Sequence, residues 1–309
     1  MSEIKLAIKV DADTWLGTRE GLPRLRDIFA ERNIKASFFL SLGPDNSGRA
    51  IWRIIGRPGF LAKMVRTRAP AVYGLRTLFM GTLLRAPIIS QGQGPLVREL
   101  MRQDHEIGLH AWDHVKWQDA LWRMSDQEVR VELARARQAF ADLTGEPPLS
   151  FAAPAWRISV AALRVLEASD LVYMSGTRGA TPYWPSIWGH CFHLLEIPTT
   201  LPTADELLGR NGIGPDNIVD YYLQRIASPG LHVLTVHAEM EGRSLARAFG
   251  RLLDGCLARG VMFVRLIDIA REALKEAPRI PTAEVVRRYI PGRSGKVSQQ
   301  GPPCSPSIH

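Results

Sequence analysis

Five residues of this 309-residue chain have the types and spacing for metal-assisted acid–base chemistry: Asp11, Asp13, His110, His114 and His237. Asp11 and Asp13 flank Ala12 directly after the apolar stretch Ile4–Val10. Side chains alternate along an extended strand, so both carboxylates face the same side. One can ligate a divalent cation while the other takes a proton from water. His110 and His114 stand four residues apart in Glu106-Ile-Gly-Leu-His-Ala-Trp-Asp-His114. That spacing lets two imidazoles share one face of a helix or turn and chelate one cation. His237 follows the apolar run Val233–Val236, a position suited to general-acid work or oxyanion stabilisation. Glu239 is placed to orient a neighbour or to bind substrate. Each pattern alone has a plain structural explanation: a loop-capping Asp-x-Asp, two unrelated histidines, a satisfied core histidine.

The elements that must position these groups are legible in outline. Ile4–Val10 contains β-branched residues and reads as a strand. Thr18 to Asn33 predicts a helix with Leu22, Leu25, Ile28 and Phe29 on one face, and Ala36 to Ser41 predicts a second strand. This opening predicts an α/β fold with parallel strands, which places chemistry at the carboxyl ends of its strands. Ser125-Asp-Gln-Glu128 forms a capping box for a helix buried through Val129, Leu133, Ala136 and Phe140 and stopped at Gly145. Val233–Val236 and Val261–Val264 read as further strands with a helix over Ala246–Arg259 between them. The rhythm predicts one barrel-like domain over residues 1–275. Residues 276–309 are rich in Pro, Gly and Ser and predict a disordered tail.

Composition is globular, with 46% hydrophobic and 23% charged residues, and the formal charge of +8 favours an anionic partner. The positive charge concentrates in residues 49–98, which hold no Asp or Glu and interleave basic with apolar side chains. That is the composition of an interfacial membrane segment. Trp52, Arg53, Phe60, Lys63, Arg66, Arg76 and Phe79 are the candidate contacts with anionic lipid. An insertion packed on the barrel with a solvated basic face is the alternative. No nucleic-acid motif accompanies the patch, so nucleic acid is not an expected partner. Cys191, Cys256 and Cys304 are odd in number and form no CxxC pair, which argues against a disulfide framework or a Cys-rich zinc site. MSEIKLAIKVDAD does not read as a signal peptide, and no run of 18 uncharged apolar residues predicts a transmembrane helix.

In this order along the chain, the three constellations resemble the NodB-type polysaccharide deacetylase family. The resemblance implies a distorted (β/α) barrel, here with a basic amphipathic helical insertion, and one divalent cation (Mn, Co or Zn). It implies Asp11 as base, Asp13, His110 and His114 as metal ligands, and His237, in Leu234-Thr-Val-His237, as general acid. Water deprotonated by Asp11 would attack an amide carbonyl polarised by the cation, and His237 would protonate the leaving amine.

The stretches KVDADTWLGTREGLPRL, GLHAWDHVKWQ, IPTTLPTADE and VHAEMEG narrow the resemblance to one subgroup, over roughly residues 4–273. It looks like the 4-deoxy-4-formamido-L-arabinose-phosphoundecaprenol deformylases of lipid A modification. A lipid-linked amino-sugar substrate, an anionic membrane surface and a peripheral place on the cytoplasmic face of the inner membrane follow from that resemblance. A deacetylase of another N-acylated glycan and a non-catalytic membrane-associated binding protein are the competing readings. The family carries an Arg in its third motif where this chain, in Phe151-Ala-Ala-Pro-Ala-Trp-Arg157, has Ala152. The Asp that often tunes that Arg has no counterpart near Ser175-Gly-Thr-Arg178. Trp156, Arg157, Arg178 and Glu239 are the candidate substrate contacts, with Arg178 assigned to a substrate phosphate.

Overall fold

The computed structural model describes residues 3–52 and 80–304. Arg53, Phe60, Lys63, Arg66, Arg76, Phe79 and the side chain of Trp52 lie outside what it describes, and with them most of the basic insertion. Among the described residues no helix is long and apolar enough to cross a membrane.

Eight strands form one parallel sheet: β1 (Ile4–Ala12), β2 (Ser37–Ser41), β3 (Glu106–Ala111), β4 (Ser150–Ala152), β5 (Tyr173–Ser175), β8 (Leu195–Glu196), β9 (Gly230–His237) and β10 (Met262–Phe263). The spatial order is β10-β1-β2-β3-β4-β5-β8, and β9 pairs with β1. The sheet curls into a partial barrel. Between β8 and β9 loop hydrogen bonds take over, from the amides of Thr200 and Leu201 to the Val233 carbonyl at 3.1 Å each. Helices cover the outside: α1 (Leu22–Ala30), α2 (Gly94–Arg102), α3 (His114–Ala120), α4 (Asp126–Thr144), α5 (Val160–Glu167), the single turn α6 (Ala204–Leu207), α7 (Ile218–Arg225), α8 (Ala246–Leu257) and α9 (Leu266–Lys275).

Alternation along β1 divides two cores. Leu6, Ile8, Val10 and Ala12 join the outer core with Leu22, Leu25 and Phe29 of α1. Ala7 joins the inner one with Phe39, Ala152, Tyr173, Leu195, Ile197 and Val233. A strand buried on both faces reads as a continuous apolar run, and this is why β1 looks so hydrophobic until its last residues. The predicted helix from Thr18 starts later than expected. Gly17–Gly21 forms a π-type turn, and α1 begins at Leu22 with Pro23 in its first turn. The capping box at Ser125 and Glu128 forms as expected.

The amino-terminal end of the barrel is closed by one carboxylate. Glu106, Ser37, Ser150 and Tyr173 are the first residues of β3, β2, β4 and β5. Glu106 accepts hydrogen bonds from Ser37 Oγ at 2.6 Å, Ser150 Oγ at 2.7 Å, Tyr173 Oη at 2.6 Å and the Ile267 amide of α9 at 2.9 Å. The negative charge also sits at the favourable end of the α9 dipole. Glu106→Ala strands several buried donors at once and is expected to lower unfolding free energy by about 3 kcal/mol. A denaturant titration reads it, and an unchanged midpoint would rule out this role.

The tail departs from expectation. Over its described residues, 276–304, it is not a disordered extension: β11 (Thr282–Tyr289) and β12 (Lys296–Pro303) form an antiparallel hairpin. β11 also pairs in parallel with β6 (Trp184–Ile187), which pairs with β7 (His190–Cys191), giving a second, four-stranded sheet. Thr282-Ala-Glu-Val-Val-Arg-Arg-Tyr289 is β-prone, and Ala283 and Val285 pack on buried Tyr183. Pro291 and Gly292 fall in the connecting turn, so average composition concealed an ordinary hairpin.

Candidate active site

The five residues converge at the carboxyl ends of β1, β3 and β9. β1 and β9 pair in parallel register, Lys9 with Thr235 and Asp11 with His237. Asp11 and His237 are therefore neighbours on the same face of the sheet. Asp13 lies one residue beyond β1. His110 lies near the end of β3, where the β2–β3 register slips: Leu40 pairs with Leu109, but Ser41 pairs with Ala111. His110 is the extra residue of that bulge, a device that re-aims side chains beside active sites. Gly108, two residues earlier, admits the Phe39 ring; a Cβ there would come within 2.5 Å of it.

His114 is the first residue of α3. The two histidines thus stand on a strand end and a helix start joined by a turn, not on one helix. Their Nε2 atoms nevertheless meet the same carboxylate, His110 at 3.2 Å from Asp13 Oδ1 and His114 at 3.3 Å from Asp13 Oδ2. The potential ligand atoms of Asp13, His110 and His114 lie within 4.8 Å of one another. Burial opposes the charge on Asp13, but the adjacent His114 and His110 outweigh it and hold the carboxyl well below the usual range. One oxygen and two imidazole nitrogens around a common point fit a divalent transition-metal ion.

The surrounding loops fix these side chains. Asp113 caps α3, accepting from the Lys116 amide at 2.9 Å and from Asn46 Nδ2 at 2.7 Å. Asp45 accepts from the Trp15 amide at 2.8 Å, so the loop after β2 ties the turn after Asp13 to the turn before His114. Glu239 Oε1 accepts from the Asp13 amide at 3.0 Å, the Thr14 amide at 2.8 Å and Thr14 Oγ1 at 2.7 Å. Gly17 leaves room for it, since a Cβ there would fall 2.1 Å from that oxygen. Burial, then the charge of Asp13, pushes Glu239 up to about 8. Through Oε1 it buttresses the backbone of Asp13, the neighbour-orienting one of its two expected roles.

Several buried polar atoms of the site have no hydrogen-bond partner among the described residues, Asp11 Oδ1, His237 Nδ1 and Glu239 Oε2 among them. The His237 amide donates to Glu241 Oε2 at 2.8 Å. Burial opposes protonation of His237, yet Asp205, Asp13, Glu241 and Asp11 outweigh it and raise its pKa above the ordinary value.

Trp156 is buried beside Lys9. It and Ala155 hold φ values of +50° and +54°, a left-handed pair that costs about 1–3 kcal/mol per residue and persists only where surroundings enforce it. Here the indole Nε1 donates to Thr199 Oγ1 at 3.0 Å, and three cations crowd the ring: Arg293 at 4.4 Å, Arg178 at 5.0 Å and Lys9 at 5.5 Å from its centroid. Arg178 is not held open for a phosphate. It donates to Glu206 at 2.8 and 3.0 Å and to the Leu201 carbonyl at 2.8 Å. Arg157 is buried and donates to the Gln118 carbonyl.

Residues 3–174 match the family model for polysaccharide deacetylase. The chain belongs to the polysaccharide deacetylase family. Membership makes it a hydrolase of amide bonds. Two curated members are closely similar, both called probable 4-deoxy-4-formamido-L-arabinose-phosphoundecaprenol deformylase ArnD. The Shewanella sediminis protein is 37% identical over 96% of this chain and 94% of its own length. The Wigglesworthia glossinidia brevipalpis protein is 34% identical over 92% of this chain and 98% of its own. The first similarity therefore continues past residue 276, into the hairpin. Among solved structures, a probable polysaccharide deacetylase from Pseudomonas aeruginosa PAO1 superposes with a TM-score of 0.61 at 18% identity. That match covers 90% of this chain and 93% of the other, and it shows the shared deacetylase fold.

Sequence reasoning on this deacetylase missed Lys9, Asp205 and Arg293. Lys9 is fully buried with Nζ 3.1 Å from Asp11 Oδ2. A charged residue two positions before Asp11 on one face of an apolar strand was the available signal. Asp205 is buried in α6, and the signal was only its place in Thr203-Ala-Asp-Glu206. Arg293, 3.3 Å from Glu206, came from the tail assigned to disorder.

Proposed function

We propose that this protein is a metal-dependent deformylase that hydrolyses the formamide of undecaprenyl-phosphate-linked 4-deoxy-4-formamido-L-arabinose. The observation that carries the chemistry is the register pair of Asp11 and His237 beside the Asp13–His110–His114 cluster. The names of the two full-length relatives support the substrate.

A divalent cation held by Asp13, His110 and His114 would polarise the formyl carbonyl and offset the charge developing on its oxygen. Asp11, through the unpartnered Oδ1, takes a proton from the attacking water, whose oxygen bonds to the formyl carbon. His237 delivers a proton to the sugar nitrogen as the C–N bond breaks, which releases formate and the 4-amino sugar. The product amine would serve lipid A modification and so resistance to cationic peptides such as polymyxin. The net charge of +8 and the acid-free stretch 49–98 support action at the anionic cytoplasmic face of the inner membrane.

The test is incubation of the full chain with the formamido-arabinose lipid in anionic vesicles, measuring formate. One formate per amine formed, at a rate that falls as salt rises, is the expected result. Acetate release from an N-acetylated glycan, with none of the formate, would overturn the substrate assignment.

A further inference from the structure

The base of this site is held by a cation from its own strand. Lys9 and Asp11 point to the same side of β1, and their pair is closed off from solvent, with side chains 0% and 6% exposed and 3.1 Å between Nζ and Oδ2. The ammonium lies between two rings, 5.7 Å from the centroid of Phe39 and 5.5 Å from that of Trp156. Phe39 is the register partner of Asp11 on β2, so these surroundings are built into the sheet. At Ala152, Arg157 and Arg178, the places where the resemblance led to a cation being sought, other contacts are found among the described residues. Ala152 faces the inner core, Arg157 is spent on the Gln118 carbonyl, and Arg178 is spent on Glu206.

We propose that Lys9 is the positioning residue of the reaction: it fixes Oδ2 of Asp11 so that Oδ1 alone is presented to the attacking water. A buried lysine is costly unless paired, and this one has no route to solvent. It lies beside a carboxylate whose other oxygen, Oδ1, is buried and has no hydrogen-bond partner among the described residues. The aromatic faces stabilise the ammonium without taking hydrogen bonds away from Asp11. The charge of Lys9 is also felt by the buried carboxyl of Glu196 on β8. Burial pushes that group up to about 7 against the hydrogen bonds from Gly176 and Thr177, with the charge of Lys9 also drawing it down.

The inference rests on Asp11 being the base, and its test separates the two claims. Lys9→Met keeps the length and the contact with both rings. It is expected to lower kcat about 10–100-fold, the usual effect of losing a group that orients a catalytic residue, with KM and bound cation unchanged. Lys9→Arg is expected to restore most of kcat. Wild-type kcat in a folded, metal-loaded Lys9→Met protein would overturn the proposal. So would a Lys9→Arg variant as slow as Lys9→Met with its fold and cation intact. Since a lone buried Asp11 charge can unfold Lys9→Met, the pair Asp11→Asn and Asp11→Asn/Lys9→Met is measured as well. Equal residual rates are expected, because Lys9 then has no carboxylate to hold; a further 10-fold loss in the double variant would overturn the proposal. All variants are read on both the formamido lipid and an N-acetylated amino sugar. Wild-type turnover of the second alone would sink the substrate assignment and leave the Lys9 comparison to be made on that substrate.

Discussion

Asp13→Ala is expected to release the cation and lower kcat/KM at least about 10³-fold, the equivalent of several kcal/mol of transition-state stabilisation. The carboxylate stands between His110 and His114 and touches the Nε2 of each, so its loss removes the oxygen donor and the charge that draws the cation in. The fold should survive, because the backbone around position 13 is held independently by Glu239 through the amides of residues 13 and 14. Metal content per chain after dialysis, thermal melting and kinetics form the measurement. Stripping the wild type with chelator should reproduce the loss, and re-adding Mn²⁺, Co²⁺ or Zn²⁺ should reverse it in the wild type only. A fully active chelated enzyme would refute the cation, and a metal-loaded, active Asp13→Ala protein would refute the ligand set.

The second large effect separates base from acid. Asp11→Asn is isosteric and leaves Asp13, His110 and His114 untouched, so it should keep the cation and lose about 10²–10⁴-fold in kcat. His237→Ala should fall within the same range on an amide. On an activated ester the two should part company, because a good leaving oxygen needs no proton. His237→Ala should then recover most of its deficit while Asp11→Asn does not. Combining the two should cost less than the product of the single losses, as expected of groups that act in one step. A normal rate in Asp11→Asn would remove the base assignment, and an ester rate as depressed as the amide rate would remove the acid assignment from His237.

What the sequence revealed followed from local rules. An apolar strand ending in Asp-x-Asp, a capping box at Ser125 and the Val233–Val236 run before His237 are readable because strand and helix periodicities act over a few residues. The bulge that turns His110 toward Asp13 was not readable, since it is a property of the pairing between β2 and β3 and not of either strand. The same holds for Arg178 and Glu239. Their types suggested anion binding for Arg178 and neighbour orientation or substrate contact for Glu239, but their partners, Glu206 and the amides of residues 13 and 14, are brought in by chain folding. The hairpin of β11 and β12 was hidden by a composition average in which turn-forming Pro and Gly outweighed a short β-prone run. Lys9 was hidden in another way, because lysine is the residue type least expected at a fully buried position.

That hairpin has a consequence for how the enzyme comes into being. Arg293 lies against Trp156, the Ile158 amide donates to Ser298 Oγ at 3.1 Å, and the Arg178 amide donates to the Ser298 carbonyl at 3.0 Å. The barrel strands that carry Asp11, His110 and His237 are all made before any of these residues leaves the ribosome. A nascent chain can therefore close its barrel before the contacts from the hairpin reach Trp156. Until then Trp156 lacks one of the three cations on its ring, that of Arg293. The order of synthesis thus leaves the packing around Trp156 to be completed after the barrel strands are made.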